Sequence, residues 1–214
     1  ESAADAPSGP TALFRTVGPS GLIKNLHLED VDVKSDGGAA SLVGNLMGSI
    51  RDVHVQGIIS IAGSEYVGGI VGFMVAADDE LLPSITDVSI GEGNLNNDGL
   101  AESDPLSLGA GGIAGTAFGG SLTNANAAIN VNWSTGGDAI SNATGNKPSA
   151  GGAIGRTFST PLSNVHTSGN ISGIHYVGGV VGESFHEVSE NCTLDKLTAL
   201  EDAESVGVSL SRWR

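Results

Sequence analysis

One pattern of positions recurs along the chain: apolar, any residue, Asn or Asp, apolar, any residue, apolar. Its copies are Ile23-Lys24-Asn25-Leu26-His27-Leu28, Ile50-Arg51-Asp52-Val53-His54-Val55 and Ile85-Thr86-Asp87-Val88-Ser89-Ile90. They continue as Leu122-Thr123-Asn124-Ala125-Asn126-Ala127 and Leu162-Ser163-Asn164-Val165-His166-Thr167, with a weaker sixth copy at Asn191-Cys192-Thr193-Leu194. Each word ends in apolar and polar residues that alternate, which is the period of a half-buried strand. Helical periodicity is absent almost everywhere; Val188 to Glu204 is the one stretch that reads as a short helix.

A second word is linked to the first. It reads Gly68-Gly69-Ile70-Val71-Gly72, Gly111-Gly112-Ile113-Ala114-Gly115, Gly151-Gly152-Ala153-Ile154-Gly155 and Gly178-Gly179-Val180-Val181-Gly182, with a degenerate copy at Ala40-Ser41-Leu42-Val43-Gly44. A single unit with these two words cannot bury its own apolar face, but stacked copies can. The expected fold is therefore all-β, a parallel β-solenoid (a right-handed β-helix, since parallel crossovers strongly prefer that hand) of about five to six coils. Residues 1–11 read as an N-terminal extension, 12–194 as the repeat domain, and 195–214 as a cap or the start of a further coil.

Stacking predicts columns. Ile70, Ile113, Ala153 and Val180 form one; Ile23, Ile50, Ile85, Leu122 and Leu162 a second; Leu26, Val53, Val88, Ala125 and Val165 a third. Cys192 aligns with this third column as a small buried hydrophobe. The polar column Asn25, Asp52, Asp87, Asn124, Asn164, Asn191 belongs at a partly solvated bend, where Asx side chains bond nearby backbone or the copies above and below. His27, His54 and His166 share one repeat position and point outward in register.

Composition sharpens this picture. Glycine is abundant at 33 of 214 residues and aromatics are scarce at 4%, so the core is built from Val, Ile, Leu and Ala. A net charge of −15 repels phosphate backbones, which argues against a nucleic-acid partner. The longest apolar stretch, Val67 to Ala77, is too short to span a bilayer, so no membrane insertion is expected. One cysteine excludes an intramolecular disulfide. No Lys or helix start follows the Gly-rich words, which therefore do not read as phosphate loops.

The Gly-Gly-apolar-apolar-Gly word followed by Ile-x-Asn-apolar resembles the GLUG repeat. Tyr66–Gly72 with Ser84–Gly91, and Tyr176–Gly182, are the clearest units, and the resemblance spans roughly residues 12–194. It implies a non-catalytic module of a secreted or surface-attached bacterial protein, such as an adhesin-like protein or the non-catalytic region of an immunoglobulin A peptidase. It supplies no catalytic residues.

Residues 91–108 and about 133–149 read as insertions at the same place in the repeat, projecting side by side from one edge; a third, Val75 to Leu82, sits at the other connection. Insertions on one face of a solenoid often form its binding face. The candidate binding residues there are Asp98, Glu102, Asp104, Trp133 and Asp138. Asn94, Asn96 and Asp98 followed by Gly99 have the spacing of the first half of an EF-hand-type loop, which makes Ca2+ a candidate ligand at Asn94, Asn96 and Asp98. Pro105 stands where the bidentate Glu belongs, so a plain turn competes with that reading. Four glycosylation sequons begin at Asn132, Asn142, Asn170 and Asn191.

The expected function is a non-enzymatic structural or adhesive repeat module of an extracellular or cell-surface protein. Its partners would be the remainder of a larger parent chain and a host-surface protein or glycan. The alternative is a β-helical carbohydrate-active enzyme or carbohydrate-binding module that uses the edge loops; ice or mineral binding would need regular outward Thr ranks that are missing.

Overall fold

A computed structural model describes residues 9–78, 80–98, 109–133, 148–173, 176–185 and 195–199, the last segment as backbone. Among them there is no helix, and every strand pair is parallel. The architecture is all-β, three parallel sheets visited in the same order again and again, an arrangement that fits a β-solenoid.

The first sheet holds the short strands Ala39–Ala40, Val67–Gly68, Gly109–Gly111, Ser149–Gly151 and Tyr176–Gly178. The second holds Phe14–Val17, Val43–Leu46, Val71–Val75, Ala114–Phe118, Ile154–Phe158 and Val181–Phe185. The third begins with two long strands, Leu22–Lys34 and Ser49–Gly63. Later copies are split into Ser84–Ile90 and Asn94–Asn97, Ser121–Ala127 and Asn130–Trp133, and Leu162–Thr167 and Ile171–Ser172, with Asp195–Ala199 last.

The Gly-rich words occupy the turn from the first sheet to the second. A Cβ built on Gly111 would collide with the Ala114 carbonyl oxygen, and one on Gly112 with the Gly152 carbonyl oxygen. Both obstacles are backbone, one across the turn and one on the neighbouring coil, so neither can move aside. The degenerate copy solves the problem differently: Ser41 takes the second glycine's place and donates its hydroxyl to Gly69 O at 2.5 Å.

The predicted columns are present. Ile23, Ile50, Ile85, Leu122 and Leu162 are paired in register, as are Leu26, Val53, Val88, Ala125 and Val165. Leu42, Ile70, Ile113, Ala153 and Val180 are joined by backbone bonds from each to the next. Most of these side chains are fully buried, and each such aliphatic contributes about 1.5–3 kcal/mol. Leu95 and Val131 extend the core under the first sheet, level with Ile61 and Ile171.

Three expectations are corrected. Residues within the stretch read as a short helix form the strand Asp195–Ala199, which pairs with Leu162–Thr167. Its register sets Leu197 against Val165, so Leu197 and not Cys192 continues that column; the weaker sixth word was aligned in the wrong register, and Cys192 itself lies outside the described residues. The insertion read from residue 91 onward also begins too early. Asn94–Asn97 is a regular strand of the third sheet, because Leu95 belongs to the core. At the other end, pairing reaches back to Thr11, whose N–H donates to Gly38 O at 2.9 Å.

Candidate functional site

The outward face of the third sheet carries most of the chain's described chemistry. Its central column is Asn25, Asp52, Asp87, Asn124 and Asn164, at φ values of 55°, 54°, 54°, 51° and 52°. This left-handed conformation costs an ordinary L-residue about 1–2 kcal/mol, and Asn and Asp are the residues that tolerate it best. The bend lifts each Asx side chain into solvent and toward its neighbours. Asn124 Nδ2 donates to Asp87 Oδ1 at 2.8 Å, and Asn164 Nδ2 donates to Asn124 Oδ1 at 2.8 Å.

The histidine row flanks this column. His27 and His54 are opposite one another, with ring centroids 6.1 Å apart. His54 Nε2 lies 3.0 Å from Asp52 Oδ1 and its Nδ1 lies 2.8 Å from Ser89 Oγ. His166 Nε2 lies 3.1 Å from Asn164 Oδ1. The Asp52–His54–Ser89 chain resembles a hydrolytic relay in its contacts. The same bend produces the His166–Asn164 contact three coils on, so the arrangement follows from the repeat: an Asx at the bend meets a His two residues later.

A second polar face lies beyond the split in the strands. Asn130 Nδ2 donates to Asn94 Oδ1 at 3.2 Å, and the Asn170 N–H donates to Asn130 Oδ1 at 2.9 Å. Beside it, Asn132 Nδ2 donates to Asn96 Oδ1 at 3.4 Å and Ser172 Oγ donates to Asn132 Oδ1 at 2.8 Å.

The sequence-predicted site residues are dispersed by this geometry. Asn94 and Asn96 stand along an extended strand, about 6.6 Å apart along the chain, rather than wrapped round a centre. The loop read there is corrected to a strand, and each Oδ1 accepts from the coil beside it. Asp98 follows the strand, exposed, with its N–H donating to Gly63 O at 3.1 Å. Trp133 is 2% exposed and belongs to the apolar core, not to an edge loop. Glu102, Asp104 and Asp138 lie outside the described residues, as do Asn142 and Asn191 of the sequons. Among the described residues, no group of three or more His, Cys, Asp or Glu side chains is placed to hold a metal ion.

Two features escaped the sequence reading. Tyr66, Phe73, Phe118, Phe158 and Phe185 form an aromatic ladder, with Phe118–Phe158 stacked at 4.2 Å and Phe158–Phe185 at 4.6 Å. The signal was available: Phe118, Phe158 and Phe185 each stand three residues after the last glycine of their word. Burial, reinforced by the Glu65 charge and opposed by Arg15, raises the Tyr66 phenol above its ordinary value. The second feature is the ion pair of Arg156 with Glu183, whose side chains are 1% and 11% exposed. Arg156 Nη2 and Nε lie 2.7 and 2.9 Å from Glu183 Oε2, which also accepts from Ser149 Oγ at 2.8 Å. Nothing in the local word marks this pair, since the equivalent positions carry Phe73 and Thr116.

No protein-family model matches the chain, and the comparison with curated proteins gave no match.

Proposed function

We propose that this chain is a non-enzymatic structural or adhesive repeat module of a secreted or cell-surface protein, built as a right-handed β-solenoid of about five to six coils of GLUG type. One observation carries the reading. The side chains that could do chemistry are turned to their column neighbours: Asp87 with Asn124, Asn124 with Asn164, Asn94 with Asn130, Asn96 with Asn132. A ladder of this kind stabilises stacking and spreads polar groups evenly along a face, whereas catalysis needs them to converge. The acidic balance suits a solvated extracellular surface, and the parent chain and a host protein or glycan are the partners it would serve.

The alternative is a carbohydrate-binding module or carbohydrate-active enzyme that uses the edge segments. What favours it is the pairing of their end points. Asn97 is opposite Trp133 where the two segments leave the third sheet, and Gly109 is opposite Ser149 where they rejoin the first. Incubation with a panel of acidic and neutral polysaccharides separates a non-enzymatic module from a carbohydrate-active enzyme. Unchanged polymer, with or without retention of the protein on it, supports the module. Release of unsaturated or reducing products overturns it in favour of the enzyme.

A further inference from the structure

We propose that Ser89 is an acyl-acceptor site, its hydroxyl activated by His54 and Asp52 to take an acyl group from an activated ester or thioester. The three side chains form one line of contacts: Asp52 Oδ1 lies 3.0 Å from His54 Nε2, and His54 Nδ1 lies 2.8 Å from Ser89 Oγ. A carboxylate only accepts, so in the neutral imidazole the single ring proton sits on Nε2. That leaves the Nδ1 lone pair to accept from the Ser89 hydroxyl. Asp52 thus sets the tautomer, and it is the tautomer that can take a proton from serine.

The repeat supplies the parts, and one coil is where they meet. The outward row runs His27, His54, Ser89, Asn126, His166 in register across neighbouring strands. His166 contacts Asn164, an amide in place of a carboxylate, and His27 has Asn25 at its bend. Among the described histidines, only His54 both follows an Asp at the bend and faces a hydroxyl on the next coil. The other carboxylate of the column, Asp87, accepts from Asn124 instead. Ser89 is held in place from below and from both sides. Val88 and Ile90 are 2% and 1% exposed, and the strand Ser84–Ile90 is paired with Ser49–Gly63 on one side and Ser121–Ala127 on the other.

In the step, Ser89 Oγ bonds to the acyl carbon while its proton passes to His54 Nδ1. The bond from the acyl carbon to the leaving oxygen or sulfur breaks, and the imidazolium returns the proton to that leaving group. Asn126 is exposed and stands next in register beyond Ser89, one strand spacing of about 4.8 Å away, where its amide can donate to the acyl oxygen. The His54 and Asp52 side chains are 43% and 53% exposed, so the donor arrives from solution and the product is a modified chain. Uptake of one acyl group goes beyond the module role proposed above and leaves it intact.

Incubation of the full chain with an aryl acetate, followed by peptide mass mapping, tests this. Ser89 is expected to acetylate about 100-fold faster than Ser163, an exposed serine of the same sheet. His54→Gln is expected to remove that advantage. Asp52→Gly keeps the left-handed bend and removes the carboxylate. It is expected to slow Ser89 about tenfold and, in NMR spectra of the imidazole nitrogens, to turn a single Nε2–H tautomer into a mixture. Circular dichroism checks that each variant is folded, and the comparison of Ser89 with Ser163 in the wild-type chain stands without them. Equal rates at the two serines overturn the proposal. So do an acetyl group found only on His54, an undiminished rate in His54→Gln, or an unchanged tautomer in Asp52→Gly.

Discussion

Asn124 donates its side-chain amide to Asp87 at 2.8 Å although 37 positions of chain separate them, and both residues sit at φ near +50°. The bend and the ladder are one device. The left-handed turn is what aims the side chain at the neighbouring parallel strand, and the Asx side chain is what makes the turn tolerable.

This coupling can be taken apart by two substitutions. Asn124→Gly keeps the bend and loses both side-chain bonds, so a loss of about 1 kcal/mol is expected. Asn124→Val loses the bonds and forces a β-branched residue into the left-handed region, so about 3 kcal/mol is expected. Urea unfolding followed by circular dichroism measures both. Equal losses would show that the conformation at this position contributes nothing.

The glycine words predict a sharp contrast between two alanine substitutions. At Gly111 a Cβ meets the backbone of the turn and of the next coil, so Gly111→Ala is expected to abolish the cooperative thermal transition or lower its midpoint strongly. At Gly18 a Cβ meets nothing within 4 Å. Gly18→Ala is expected to be neutral or stabilising by about 0.4–1 kcal/mol through the unfolded chain. Differential scanning calorimetry of the two variants decides it.

Arg156 and Glu183 are expected to behave as a unit. Arg156→Met leaves Glu183 nearly buried without its cation, at a cost of about 3–5 kcal/mol. The double variant Arg156→Met with Glu183→Leu removes both charges and is expected to recover most of that loss, since apolar replacement of a buried pair is often neutral or better. A double variant no more stable than Arg156→Met in guanidinium titration would contradict the pairing.

Tyr66 gives the protein an alkaline limit. Its phenol titrates above the ordinary tyrosine value of 10.0 in the folded chain because burial and Glu65 oppose the phenolate. The folded state therefore holds that proton more tightly than the unfolded state. This contribution is complete below the unfolded value and is lost as pH rises through the folded one. Tyr66→Phe is expected to flatten the fall in thermal midpoint over that alkaline window relative to wild type, and parallel falls would refute the assignment.

The sequence alone determined the columns and the bend. Repetition of Ile, Val and Leu at fixed places in a word, with Asx between them, leaves stacking as the only way to bury every copy, and Asx is the residue type the bend requires. That is why the aliphatic register, the Asx column and the outward histidine row were legible before any coordinates. The tertiary structure decided what depends on neighbours from other coils. Asn94 and Asn96 carry the spacing of a loop, and only the burial of Leu95 between Ile61 and Val131 makes them a strand. Trp133 looked available for binding until the core closed over it. The Arg156–Glu183 pair, the Phe118–Phe158–Phe185 stack and the register of Leu197 over Val165 likewise arise across coils. A word repeated along the chain sets which rows exist; the distances between rows, and so every contact that differs from one coil to the next, are set only when the coils lie on one another.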